Sequence, residues 1–184
     1  MEHGDEDGLL AMVFEDLEQQ AEGLALAERD AELADRSRAE YAQVTLAARV
    51  HASLGRPVLL ELLGAGPVRG TLARAGTDWC LVADDCGPGA PEQEWLVRLG
   101  ALRAAQGLSE RAVAPEARPA VARLGFGSAL RRLAEGGAEL VLCHVDGSRS
   151  QAAVVRVGSD FVEVTAADGP ALLTFAGLAA VSRA

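Results

Sequence analysis

The spacing of apolar and polar positions changes character along this chain. Over residues 9 to about 54 the apolar positions step by four and three, through Leu10, Phe14, Leu17, Ala21 and Leu24. That spacing predicts a helix with one apolar stripe. The stripe fades after Leu24, where Glu28 takes an apolar position and Ala31 is small. Its strong part is shorter than the roughly three to four heptads that a coiled coil needs. Asp5, Glu6 and Asp7 suit the positive end of the helix dipole, and Glu32 with Arg36 can pair at i,i+4. The stripe is read in two ways. It packs on the chain's own body, or it docks a partner or a second copy. Leu10, Phe14, Leu17 and Leu24 are the candidate contact residues for the second reading.

Beyond Thr45 the pattern becomes one of short strands, and it occurs twice. Asp78-Trp79-Cys80-Leu81-Val82 and Asp160-Phe161-Val162-Glu163-Val164 lie 82 residues apart. Val58-Leu59-Leu60-Glu61-Leu62 matches Leu140-Val141-Leu142-Cys143-His144 at the same offset. Trp95 to Leu102 matches Ala171 to Leu178 at an offset of 76, so the first copy carries a longer loop around Asp85 to Gln93. A fixed-offset repeat is the strongest guide to architecture in a sequence. Each copy reads as a short helix, then a Gly stop, then four or five strands. The helices are expected at Thr45 to Leu54 and Ser128 to Ala134, closed by Gly55 and by Gly136-Gly137. Strands are expected at Val58–Leu63, Val68–Arg74, Trp79–Ala83 and Trp95–Leu99 with a continuation near Leu102. In the second copy they fall at Leu140–Val145, Ser150–Val157, Phe161–Thr165 and Leu172–Phe175 with a continuation to Val181. Asp146-Gly147 is a hairpin signal. Pro115 and Pro119 break the intervening segment into a partly helical linker.

Charge divides the chain at the same place. Residues 1–45 hold 13 acidic side chains and three arginines, while residues 46–184 hold 14 of each, so the net charge of −10 belongs to the N-terminal segment. An acidic segment repels phosphate backbones, which argues against nucleic acid there and leaves the neutral remainder open. Nearly half of the residues are hydrophobic, yet no apolar run approaches the roughly 18 residues of a membrane span. The acidic start lacks the basic region of a secretory signal. Cys80, Cys86 and Cys143 form no Cys-x-x-Cys pair and no disulfide framework. These features lead to the expectation of a cytoplasmic protein.

A helix followed by a strongly bent five-stranded meander, with a strand ending in Gly and then Asp and an aromatic residue, resembles the Sm-like fold. The SH3-like barrels are close behind. The resemblance covers residues 45–105 and 127–183, and implies two small barrels; its family members use this barrel to bind RNA and to assemble rings. Gly70 and Asp78 match the Gly and Asp of the first family motif, but Cys80 and Leu81 stand where its base-reading Asn belongs. The second copy has Ala152 for the Gly, and Val162-Glu163 after Asp160. The Arg-Gly that closes the second family motif is split here by Leu99 between Arg98 and Gly100, and becomes Thr174 and Ala176 in the second copy. The resemblance thus implies the barrel without its RNA site. The whole chain is also similar to a group of small uncharacterised proteins of high-GC Gram-positive bacteria, some of them labelled transcriptional regulators.

The residues offer little chemistry. Leu102 to Ser109 resembles the opening of a helix-turn-helix, but Pro115 and Pro119 interrupt the recognition helix, and the helix opened by Arg131-Arg132 leads into a strand. Alternation puts His144 and Asp146 on one face and Cys143 on the other, which is no zinc set. No Gly-x-Ser-x-Gly elbow is present, Asp84-Asp85 lie in the loop extension, and Gly125-Phe126-Gly127 lacks the glycines and lysine of a phosphate loop. Arg69, Arg74, Arg149 and Arg156 occupy the matched second strands, with Arg74 and Arg156 at directly equivalent positions. These two would form one basic strip across both barrels for nucleic acid if they faced solvent. The other reading is ordinary surface arginines paired with the acids of the same region.

The expected fold is α+β and mainly β. It has an acidic N-terminal helix (1–44), a first Sm-like barrel (45–105), a linker (106–126) and a second barrel (127–184). The expected function is a non-enzymatic adaptor with a protein partner or self-association, and with no catalytic residues, cofactor or metal. The alternative is a nucleic-acid-associated regulator, binding RNA or acting in transcription through an arginine face.

Overall fold

The structure, a computed structural model, describes residues 19–20, 22–23, 26, 28–30, 32–84 and 93–184. The chain divides into two compact units, 1–44 and 45–184. In the first unit all described residues through 41 are helical and exposed, Leu26, Leu33 and Tyr41 among them. The candidate contact residues Leu10, Phe14, Leu17 and Leu24 lie outside the described residues.

The second unit is mainly β. Helix α1 (Leu46–His51) leads into β1 (Pro57–Leu62), β2 (Gly66–Ala75), β3 (Trp79–Ala83), β4 (Glu94–Arg98) and β5 (Leu102–Gln106). Helix α2 (Phe126–Leu133) leads into β6 (Glu139–His144), β7 (Arg149–Val157), β8 (Phe161–Ala166), β9 (Gly169–Thr174) and β10 (Leu178–Arg183). Each strand foreseen from the repeat and its turn residues is present, with ends shifted by a few residues. The linker carries only two short 3-10 turns, Pro115–Ala117 and Ala120–Arg123. Its two prolines leave no continuous run of backbone donors for a longer helix.

Local chemistry explains these elements. The Thr45 side chain accepts a hydrogen bond from Ala48 N and so caps α1. Strand β1 alternates buried Val58, Leu60 and Leu62 with more open positions. The repeat is visible in matched backbone bonds. Gly76 N donates to Trp79 O and Gly158 N to Phe161 O, both at 2.9 Å. Leu99 N donates to Asp78 O and Phe175 N to Asp160 O, both at 2.8 Å.

The strands form one antiparallel sheet in the order β5-β1-β2-β3-β4-β10-β6-β7-β8-β9. Each copy thus contributes five consecutive strands, and the copies meet where β4 pairs with β10. Two cores flank this seam. Val97 and Ala180 face the first core with Val58, Leu60 and Leu72. Leu96 and Val181 face the second with Phe126, Leu130 and Leu142. Both faces of the seam are therefore buried, and Leu178 to Ser182 is a continuous buried run. Gly64, at φ +66°, lets the β1–β2 turn touch the β6–β7 turn. A Cβ there would stand 2.3 Å from Val145 O.

Candidate functional site

The seam has two free counterparts. By the repeat, β9 is the equivalent of β4, and β5 is the equivalent of β10. Among the described residues β5 and β9 end the sheet, so each presents an unpaired edge of backbone N–H and C=O groups.

At the seam Ala180 stands opposite Val97, Val181 opposite Leu96 and Ser182 opposite Trp95. The same alignment carried to the outer strands sets Ala104 against Leu173, Ala105 against Leu172 and Gln106 against Ala171. Leu96 is 1% exposed, whereas its counterpart Leu172 is 58% exposed. Arg98 adds two bonds across the seam, from Nε to Leu178 O (2.8 Å) and from Nη2 to Ala176 O (3.0 Å). Its counterpart, Thr174, instead accepts from Gly177 N within its own strand connection. Gln93 Nε2 donates to Ser182 Oγ at 3.3 Å, a further tie across the seam.

The four arginines of the second strands do not share one arrangement. Arg69 and Arg149, from different copies, both line a small pocket of about 210 Å3 near the seam, together with Asp84. Arg156 donates from Nε and Nη2 to Glu163 Oε2, at 2.9 and 2.7 Å. Arg74 has Leu81 opposite it where Arg156 has Glu163. It lines a different, larger cleft.

That cleft, of about 410 Å3, is walled by the end of α1 and the turn after it, β2, β3 and β4, the linker turn, α2 and the end of β10. Trp79 lies in its wall and donates from Nε1 to Leu124 O at 2.8 Å. Asp78 Oδ1 accepts from Phe126 N at 2.8 Å, which ties the first copy to the start of α2. Sequence reasoning missed this cleft, because its walls come from segments far apart in the chain.

The titratable groups are structural in character. Burial pushes the Cys80 thiol up to about 12, so no thiolate forms near neutrality. Burial raises Cys143 as well, with Arg149 opposing. His51 is lowered, chiefly by burial; a hydrogen bond between Nε2 and Gly76 O (3.1 Å) partly opposes this. His144 Nε2 meets Ser150 Oγ at 3.0 Å. The Ser148 hydroxyl and N–H hold the Asp146 carboxyl below its ordinary value. Among the described residues no group of three or more His, Cys, Asp or Glu side chains could hold a metal ion. Among them, too, no helix is long and apolar enough to cross a membrane.

No protein-family model matches the chain, and neither does any curated protein.

Proposed function

We propose that the chain is a non-enzymatic adaptor built from two Sm-like barrels fused edge to edge, which binds other chains by strand pairing. The outer edges of β5 and β9 are the docking sites. The N-terminal helix expected from the sequence supplies a second contact through Leu10, Phe14, Leu17 and Leu24.

The observation that carries this reading is the β4–β10 seam. It is a head-to-tail contact between equivalent copies, and its two halves recur unpaired at the ends of the sheet. A head-to-tail contact can propagate as long as its two partner surfaces stay free. Strand addition draws affinity from main-chain bonds and specificity from alternate side chains. The exposed Leu172 and the small Ala104 and Ala105 leave room for an incoming strand.

The alternative, a nucleic-acid regulator with an arginine face, has less support. Arg156 is paired with Glu163, Arg74 lines a cleft that Arg156 does not share, and residues 46–184 carry no net charge.

Sedimentation of the full chain over a range of concentrations tests the proposal, alongside Leu172→Lys and a pull-down with both proteins. The expected result is association, or capture of a protein partner, that the full chain shows and L172K loses. A concentration-independent monomer whose captured proteins are unchanged by L172K would sink the proposal.

A further inference from the structure

The cleft beside Trp79 plays no part in strand pairing, since none of its lining residues lies on β5 or β9. Its composition is unusual for a structural gap. The walls include Trp79, Leu81, Leu96 and Leu133, all buried or half-buried. Leu54, Val121 and Leu124 also line it, and remain 43%, 55% and 45% exposed. Apolar side chains left open around one concavity mark a binding site rather than scattered surface. The volume of about 410 Å3 suits a small molecule.

The charges around the cleft select the kind of molecule. Arg74, Arg132 and Arg183 line it, with Glu94 as the opposing carboxylate. This is a local excess of positive charge within residues 46–184, which carry no net charge as a whole. Arg132 pairs with Glu135, which lies just past the end of α2. Arg183 donates from Nε to Leu133 O at 3.4 Å. Arg74 has no ion-pair partner among the described residues. A guanidinium presents a planar fork of donors that matches a carboxylate. A basic rim over an apolar floor is complementary to an anion that carries a hydrophobic tail.

We propose that this cleft binds a small amphipathic carboxylate. The aliphatic or aromatic tail lies against Trp79, Leu96 and Leu133, and the carboxylate meets Arg74 and Arg183 at the rim. No bond is made or broken, and the site is one of binding alone. Trp79 makes occupancy visible, because a tail against the indole changes its emission. The site is independent of the strand-pairing proposal, since L172K alters β9 and leaves the cleft intact.

The test titrates the full chain by calorimetry with decanoate and with 4-phenylbutyrate, and uses decyltrimethylammonium and 1-decanol as charge controls. Tryptophan emission is followed in parallel. The expected result is saturable one-to-one binding of at least one carboxylate, about tenfold or more tighter than either control. Ala73→Trp places an indole in the cleft from an exposed position on β2 and is expected to abolish binding. R74E/R183E changes two exposed side chains and is expected to weaken carboxylate binding about tenfold while sparing decanol. Equal affinity for acid, cation and alcohol would overturn the proposal. So would a failure of both carboxylates to bind, or binding that survives in R74E/R183E at full strength. L172K should retain carboxylate binding, which separates failure of this site from failure of the strand edges.

Discussion

The seam between β4 and β10 and the free edges of β9 and β5 are built from equivalent strands of one repeat, yet they differ in burial and in side-chain ties to a neighbouring strand. At the seam Leu96, Val97, Ala180, Val181 and Ser182 are all buried. At the edges the counterparts Leu172, Ala104 and Gln106 are exposed. Arg98 clamps the seam to two carbonyls, and Thr174 has no such reach. One strand geometry therefore serves two purposes. Where side chains fill both faces the contact is permanent. At β5 and β9 the equivalent strands end the sheet and have no strand beside them on the outer side among the described residues. Natural sheets blunt their edges with polar residues, and Arg103 and Gln106 on β5 fit that practice.

The largest expected effect comes from truncating a seam residue and its counterpart. Leu96→Ala should cost about 2–5 kcal/mol, while Leu172→Ala should stay within about 0.5 kcal/mol in a dilute monomer. Denaturant unfolding of both variants checks this, and equal losses would erase the distinction between seam and edge. Gly64→Ala comes next. Its positive φ and the approach to Val145 O predict a loss of about 1–3 kcal/mol. An unchanged unfolding midpoint would mean that the two turns do not touch. Arg98→Met removes two donors and leaves two seam carbonyls short of partners, for a loss of about 1–2 kcal/mol. Thr174→Ala should cost less than R98M by the same assay, because its single bond is local.

The smallest effect distinguishes the copies by pH. His51 occupies the first-copy position that Leu133 fills in the second. Its folded pKa lies below the ordinary 6.5, chiefly because burial disfavours the charged ring. The unfolded chain then binds the extra proton more readily. Stability from this group is complete above pH 6.5 and falls as the pH drops below it. Unfolding midpoints measured on either side of that value should show a shallow loss that His51→Gln removes. A loss of the same size in H51Q would assign it to another group.

Much of the fold was legible from local patterns. Trp79 to Ala83 is a short apolar run that follows the turn at Gly76, and the structure holds β3 over the same residues. The helix expected from Thr45 to Leu54 is present as α1, with Thr45 as its cap. The repeat offset foretold matched strands, because equivalent residues make equivalent backbone bonds. The interaction sites were much less legible. Arg74 and Arg156 at matched positions suggested one strip, but a cross-strand neighbour is a tertiary fact. Glu163 faces Arg156 while Leu81 faces Arg74. The buried run Leu178 to Ser182 was a signal that β10 is covered on both faces. It went unread because a short apolar run does not say what covers it.

The sequence by itself determined which segments become strands, where the turns fall and that the pattern occurs twice. All of these follow from the period of side-chain direction and from backbone freedom at glycine. Only the tertiary structure decided that β4 is sealed by β10 while β9 and β5 stay open, and that Trp79, α2 and Arg183 enclose one cleft. Those outcomes depend on which distant surfaces fit together, and a local period of two or of 3.6 carries no information about distant partners.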